Sequence, residues 1–215
     1  MLVYHFVSAI YGLDDLRKRR LKVSLLPDMN DPFELLGAVS DCAEHRQNLV
    51  RWRDEYMARI SDVLCFSQRW HNPVLWSHYA DKHRGVCLGF EVPDQNLLQI
   101  SYVASPLELE LEKQMLEHGT VGDEIVRKLF TTKFVDWEYE EEVRMFVKSS
   151  QTYEELGLHF YQFDDELVLK KVVIGPRSAD LAKSINAAIQ PQDSEVEVIA
   201  TSLALDSFRV ISTPS

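Results

Sequence analysis

Cysteine is scarce in this chain. Three occur in 215 residues, Cys42, Cys65 and Cys87, an odd number without paired spacing, so neither a disulfide framework nor a zinc knuckle is expected. Cys65 and Cys87 lie in apolar runs and read as small core residues. Positive charge is also short: 23 Lys and Arg stand against 34 Asp and Glu, a net charge of −11. A broad nucleic-acid-binding face needs a positive surface to neutralise phosphates, so none is expected. No apolar stretch approaches a membrane span. There is no glycine-rich phosphate loop, no Gly-x-Ser-x-Gly elbow, no repeat and no low-complexity tract. The opening Met-Leu-Val-Tyr-His-Phe lacks the basic and long apolar parts of a signal peptide, and a cytoplasmic location is the expectation. The one basic run, Arg17-Lys18-Arg19-Arg20, fits the last turn of a helix, where cations favour the dipole.

What is present is an ordinary globular composition, 46% hydrophobic and 27% charged, in a length that suits one domain over 1–215. Strands are expected at Leu2–Phe6, Leu21–Leu26, Leu97–Val103, Glu140–Val147 and Val168–Ile174, with short closing strands near Glu195–Ala200 and Phe208–Ile211. Helices are expected over Leu13–Arg20, after Asn30-Asp31-Pro32, and along the face Leu49, Trp52, Tyr56 and Ile60. Further helices are expected from Asn72-Pro73 to about Ala80, over 106–130 with a break at Gly119 and Gly122, and along Leu181, Ile185 and Ile189. Asn or Asp followed by Pro is a cap with proline at the first helical position. Strict strand–helix alternation is missing, which favours an α+β domain with mostly antiparallel sheets.

The densest segment is Ser61–Glu91. Apolar runs at Val63–Phe66 and Val86–Phe90 flank Ser67, Trp70, His71, Trp76, Ser77, His78, Tyr79, Asp81 and His83. Two strands holding a polar, aromatic helix between them suit a ligand pocket. In the run Glu140–Val147, alternation puts Val143, Met145 and Val147 on one face and Glu140, Glu142 and Arg144 on the other. That second face reads either as a solvated strand with cross-strand ion pairs or as part of a site.

Four segments carry a resemblance: Asn30-Asp31-Pro32-Phe33-Glu34; Cys65-Phe66-Ser67; Leu75-Trp76-Ser77-His78-Tyr79-Ala80-Asp81 with His83, Gly85 and Val86; and Lys133-x3-Trp137-x-Tyr139-Glu140-x-Glu142-x-Arg144. In this order they resemble the bacterial domain-of-unknown-function family 2971, over about 4–175, with 176–215 as a closing helix and strands. Val143 departs from the pattern, which has an aromatic there. More loosely the chain resembles NAD-dependent ADP-ribosyltransferases. That resemblance implies a split antiparallel sheet gripping NAD, with Tyr4-His5, Phe66-Ser67 with Tyr79, and Glu140/Glu142 in the three strand positions those enzymes use. It also implies an unknown macromolecular acceptor and, by analogy alone, a role in toxin or phage-defence systems.

The chemistry is consistent with that assignment. Breaking the nicotinamide–ribose bond builds positive charge on the ribose, which a carboxylate beside it stabilises. Glu142 is the first candidate and Glu140 the second. Tyr4, His5, Asn30, Asp31, Ser67, Trp76, Tyr79, His83 and Arg144 are candidates for holding the nucleotide, Arg144 by a forked pair of hydrogen bonds. His5 also reads as a core histidine, Asn30-Asp31 as a cap, and Trp76 with Tyr79 as a packed helix face. The rival enzyme is a metal-dependent nuclease using Asp31, Asp81, Glu140 and Glu142 as Mg²⁺ ligands, though Glu142-Val143-Arg144 has Arg where such sites carry Lys. His71, His78 and His83 are not at a recognised ligand spacing, and no metal site is expected. A nucleotide-binding or interaction module without catalysis needs the same pocket.

Overall fold

A computed structural model describes residues 1–39, 43–57, 62–108 and 123–213. In chain order the first elements are β1 (Leu2–Val7), α1 (Ala9–Lys18), β2 (Arg20–Lys22), β3 (Ser24–Leu25), β4 (Ala38–Val39), α2 (Ala43–Met57) and β5 (Asp62–Ser67). Then come α3 (Pro73–Tyr79), β6 (Val86–Glu91), β7 (Leu97–Gln99), β8 (Ser101–Val103), β9 (Leu107–Glu108), α4 (Asp123–Phe130), β10 (Thr132–Phe134) and β11 (Glu142–Phe146). The chain closes through β12 (Thr152–Glu155), β13 (Leu158–Gln162), β14 (Val168–Ile174), α5 (Ala182–Ala188), β15 (Glu197–Ile199), β16 (Thr201–Leu203) and β17 (Val210–Ser212).

The main sheet runs β15-β14-β6-β1-β5-β11-β7, with β3 beside β5. Among the described residues, β14 and β15 are the one pair within it that runs parallel. Smaller sheets, flanking helices and this mostly antiparallel sheet make one α+β domain. No helix among the described residues is long and apolar enough to cross a membrane.

The sheet is joined unevenly. β1 pairs with β6 over six residues, from Leu2↔Glu91 to Val7↔Val86, and β11 pairs with β5 from Glu142↔Ser67 to Phe146↔Val63. Between β1 and β5 a single pair, Tyr4↔Ser67, holds the two halves together. On one face, Val3, Phe66, Phe90, Val143 and Met145 pack with Leu16 of α1, Ile185 of α5 and Tyr161 of β13. The other face carries two separate apolar clusters. Tyr4 and Cys87 pack with Trp70, Trp76 and Val210, while Val63 and partly buried Cys65 pack with Leu35, Leu49, Leu129 and Phe130. The polar site lies between them.

Local signals explain several elements. The Asn72 side chain accepts a hydrogen bond from the Val74 amide at 2.9 Å, and Pro73 follows at the first helical position, so α3 begins where expected. Helix α1 starts at Ala9 rather than Leu13. Its first turn exposes Ile10 and Tyr11, so no apolar periodicity marks it. Arg17 and Lys18 occupy the last turn of α1. Arg20 does not: it is buried in β2, held by Glu155 and Asp14.

Further expectations need correction, among them the helix over 106–130, whose described residues Leu107–Glu108 form β9 beside β4. Residues 32–35 form a turn, not a helix: Asp31 Oδ1 accepts from the Phe33 amide at 2.9 Å, and fully buried Leu35 takes φ +62°, which reverses the chain. The expected strand Leu97–Val103 breaks at Ile100, whose amide donates to the Glu142 carbonyl, so β7 joins the main sheet and β8 pairs with β10. Glu140 is not on the strand of Glu142; it ends a 3₁₀ turn over Val135–Glu140, and Glu141 at φ +43° turns the chain into β11. The hairpin β12–β13 went unassigned in the sequence; Leu156 and Gly157, at φ +55° and +77°, form its two-residue turn. Cys42, Ile60, Gly119 and Gly122 lie outside the described residues.

Gly85 joins α3 to β6 through close backbone contact. A Cβ there would lie 2.1 Å from the Val7 carbonyl oxygen and 2.9 Å from Ala80 Cα. Backbone cannot swing aside as a side-chain tip can, so Gly85→Ala is expected to cost about 3 kcal/mol or more. Urea denaturation reads this directly, and a loss below about 1 kcal/mol would contradict the packing described.

Candidate functional site

The split between β1 and β5 opens into a pocket of about 240 Å³. Residues on a strand alternate between faces, and the lining draws on both: Tyr4, Phe6, Cys65 and Ser67 from one, His5 and Phe66 from the other. The pocket therefore reaches into the sheet at its weakest join. Past that join, His5 Nδ1 donates to the Cys65 carbonyl at 3.1 Å, tying β1 to β5 where ladder bonds have stopped. With its Nδ1 carrying the proton, Nε2 is left as an acceptor. Burial lowers the pKa of His5 and keeps the ring neutral.

At the polar end, charged groups alternate in a chain. Arg144 is 0% exposed and grips Glu34 through two hydrogen bonds of 2.6 and 3.0 Å. Its Nε also donates to Glu142 Oε1 at 2.8 Å. Lys133 lies between the two glutamates of the motif, 2.7 Å from Glu140 Oε2 and 2.8 Å from Glu142 Oε2. Tyr79 donates to the remaining oxygen of Glu140 and accepts from the Asn30 side-chain amide. Three carboxylates and two cations make this chain of groups, so one negative charge is in excess. Glu142 is flanked by both cations, while Glu34 and Glu140, at the two ends, each meet one, and Glu140 is the end that lines the pocket.

The titration of these groups follows their surroundings. Burial alone would raise the Glu142 pKa, but the Arg144 guanidinium and the Lys133 ammonium hold it at about 2. Burial alone would lower Lys133, and the two carboxylates hold it well above its ordinary value. For Glu34 burial prevails, and its pKa is raised despite Arg144. Burial and then Glu140 push the Tyr79 phenol up, so it stays a donor. Burial, reinforced by Glu142, also drives the Cys65 thiol well up, which makes it a poor nucleophile.

The structure brings Tyr4, His5, Asn30, Ser67, Tyr79, Glu140 and Glu142 to the pocket lining. Four other candidates lie away from that lining. Asp31 is buried with its carboxylate on the Phe33 amide, a local turn role. Trp76 is fully buried, donates from Nε1 to the Trp70 carbonyl, and stands edge-on to Phe6, so it backs a pocket wall. His83 ends three consecutive left-handed residues, Asp81 to His83, and its buried Nδ1 has no partner among the described residues. Arg144 lies behind the lining and orders both glutamates. Its burial rules out a solvated strand face.

Sequence reasoning passed over Glu34 as a site residue and considered Lys133 only for the rival nuclease, where it or Arg144 would stabilise the phosphoryl transition state, though both stand in the motifs quoted above; a charged residue in a motif otherwise explained by a turn is the available signal. Asp28 and Phe6 carried none. For the rival readings, the Lys133 ammonium already fills the space between the Glu140 and Glu142 carboxylates. Among the described residues no three His, Cys, Asp or Glu side chains are grouped to hold a metal ion. The Ser67 hydroxyl donates to the Arg69 carbonyl at 2.9 Å. Comparison with family models, with curated proteins and with solved structures found no match in any of the three.

Proposed function

We propose that this protein binds the nicotinamide–ribose end of NAD in the split of its sheet and cleaves the bond between them. The observation that carries this reading is the order of convergence: β1 with Tyr4-His5, β5 with Ser67, and the Glu140–Glu142 segment meet at one pocket where the sheet opens. The pocket volume of about 240 Å³ is below the roughly 300–1,000 Å³ of sites that enclose a whole drug-sized ligand. It suits one end of a longer molecule, with the remainder outside.

Glu140 is the reacting carboxylate in this proposal, in place of Glu142. A carboxylate flanked by Lys133 and Arg144 has little field left for a developing cation, whereas Glu140, also in the lining, has Lys133 as its one cationic partner. As the C1′–N bond breaks, its electron pair leaves with nicotinamide and positive charge builds on the ribose, facing Glu140. The acceptor, a hydroxyl, amide or water, forms the new bond at C1′ and gives its proton to Glu140. Tyr79 and Lys133 fix the carboxylate, and Glu142 with Arg144 fixes Lys133.

Glu140→Gln is expected to lower nicotinamide release by about 10²–10⁴-fold per folded molecule, on the scale of a lost acid–base group. Glu142→Gln is expected to lower the melting temperature first. Protein that neither binds nor consumes NAD would end the proposal. Each oxygen of Glu140 and Glu142 already has a partner, which favours one second reading, a nucleotide-binding module without turnover. Tight NAD binding with no release identifies it.

A further inference from the structure

We infer that the split pocket is a receptor for flat cations: it takes an aromatic ring bearing a fixed positive charge and rejects the neutral and anionic rings of the same shape. The inference deepens the reading above, resting on the same pocket and naming what is recognised in the ring.

Two independent features of the lining support it. The first is charge. Three carboxylates, Asp28, Glu140 and Glu142, face the cavity against one ammonium, Lys133. Behind the lining, Arg144 is shared between Glu142 and Glu34, which brings one cation and one further carboxylate and leaves the negative excess in place. Asp28 is exposed at the rim, and Glu140 is buried at the floor, where a charge is screened less by salt than at the surface. The second feature is the walls. Tyr4, Phe6, Phe66 and Tyr79 line the cavity, and aromatic faces attract cations, the more so where both are desolvated. His5 is held neutral by burial and keeps Nε2 as an acceptor, so it adds no opposing charge. A pocket for a neutral ring would be served by the walls alone; one for a phosphate or carboxylate would reverse the charge balance.

The test uses nicotinamide and 1-methylnicotinamide, which differ by one methyl group and one positive charge, titrated into the full chain by calorimetry. The cation is expected to bind at least about tenfold more tightly, the scale of one partly desolvated cation–aromatic and carboxylate contact. Nicotinate, the anion, is expected to bind more weakly than either. Glu140→Gln keeps the shape and removes one of the negative charges; it is expected to reduce the preference for the cation by about three- to tenfold and to move nicotinamide by less than about twofold. Should Glu140→Gln fold poorly, Asp28→Asn at the exposed rim carries the same test with a smaller shift that high salt abolishes. Equal affinities for the two rings, tighter binding of the neutral ring, no binding of either, or a preference unaffected by both substitutions would overturn the inference. Cation preference without NAD cleavage would leave it standing and remove the proposed activity. Cleavage without cation preference would do the reverse.

Discussion

Arg144→Met is expected to destabilise the fold by about 3–5 kcal/mol, the cost of stranding buried charges by removing their partner. Arg144 has no exposed surface, and its donors serve Glu142 Oε1 and Oε2 at 2.8 and 3.3 Å, Glu34 Oε1 and Oε2 at 2.6 and 3.0 Å, and the Phe130 carbonyl at 3.0 Å. Methionine fills much of the volume but leaves Glu34 and the Phe130 carbonyl without their donor, and Glu142 with Lys133 alone, in low dielectric. Lysine is no substitute, because a single ammonium cannot fork to two carboxylates at once. The pH dependence should change sign for Glu142. In the native protein Glu142 sits below its ordinary value, at about 2, and contributes stability that is present above its unfolded pKa and lost as pH falls through about 2. Without Arg144, burial prevails, the folded pKa of the stranded carboxylates rises, and the variant should regain stability on acidification. Replacing the group together, Glu34→Gln, Arg144→Met and Glu142→Gln, is expected to cost less than Arg144→Met alone. Urea denaturation between pH 5 and 8 measures all three; an Arg144→Met loss below about 1 kcal/mol would show that the ion pairs are structurally dispensable.

Asp15→Asn is expected to stabilise the protein at pH 8. Asp15 lies on α1 at 5% exposure, and burial, reinforced by Asp14 and opposed by Arg20, raises its pKa from 3.8 to about 7. A carboxyl with a raised folded pKa contributes stability that is fully present below its unfolded value and lost as pH rises through the folded one. Wild-type stability should therefore fall between about pH 4 and pH 7 from this group, by at most roughly 4 kcal/mol. Asparagine keeps the shape without the charge, so the variant should gain about 2–4 kcal/mol at pH 8 and show a flatter profile from pH 4 to 8. Melting curves across that range decide it. A variant no more stable than wild type at pH 8 would mean that Asp15 stays ionised without penalty.

Much of the fold was legible because its causes are local. Asn72-Pro73 marks the start of α3 through one side-chain hydrogen bond and a fixed φ. The apolar runs of β5, β6 and β14 declare strands buried on both faces. Elements whose cues are turned outward were missed or misplaced, as with the exposed first turn of α1 and the two-residue turn of β12–β13. The candidate site was half legible. Its residue types and the order of its segments stand in the chain, yet the roles assigned to Arg144 and Trp76 assumed side chains open to a ligand, and both are buried outside the pocket lining.

The sequence by itself determined which residues share a face: alternation in β11 puts Glu142 and Arg144 together and opposite Val143 and Met145, because the pleat of a strand has period two. Whether that polar face meets water or protein was decided by the tertiary structure alone. Arg144 is closed over by Glu34, 110 residues away, and by the end of α4, and no local pattern encodes a partner so distant. The opening between β1 and β5 has the same origin. Each strand is unremarkable along its own length, and the pocket exists because their two sheet halves meet at one residue pair and diverge beyond it.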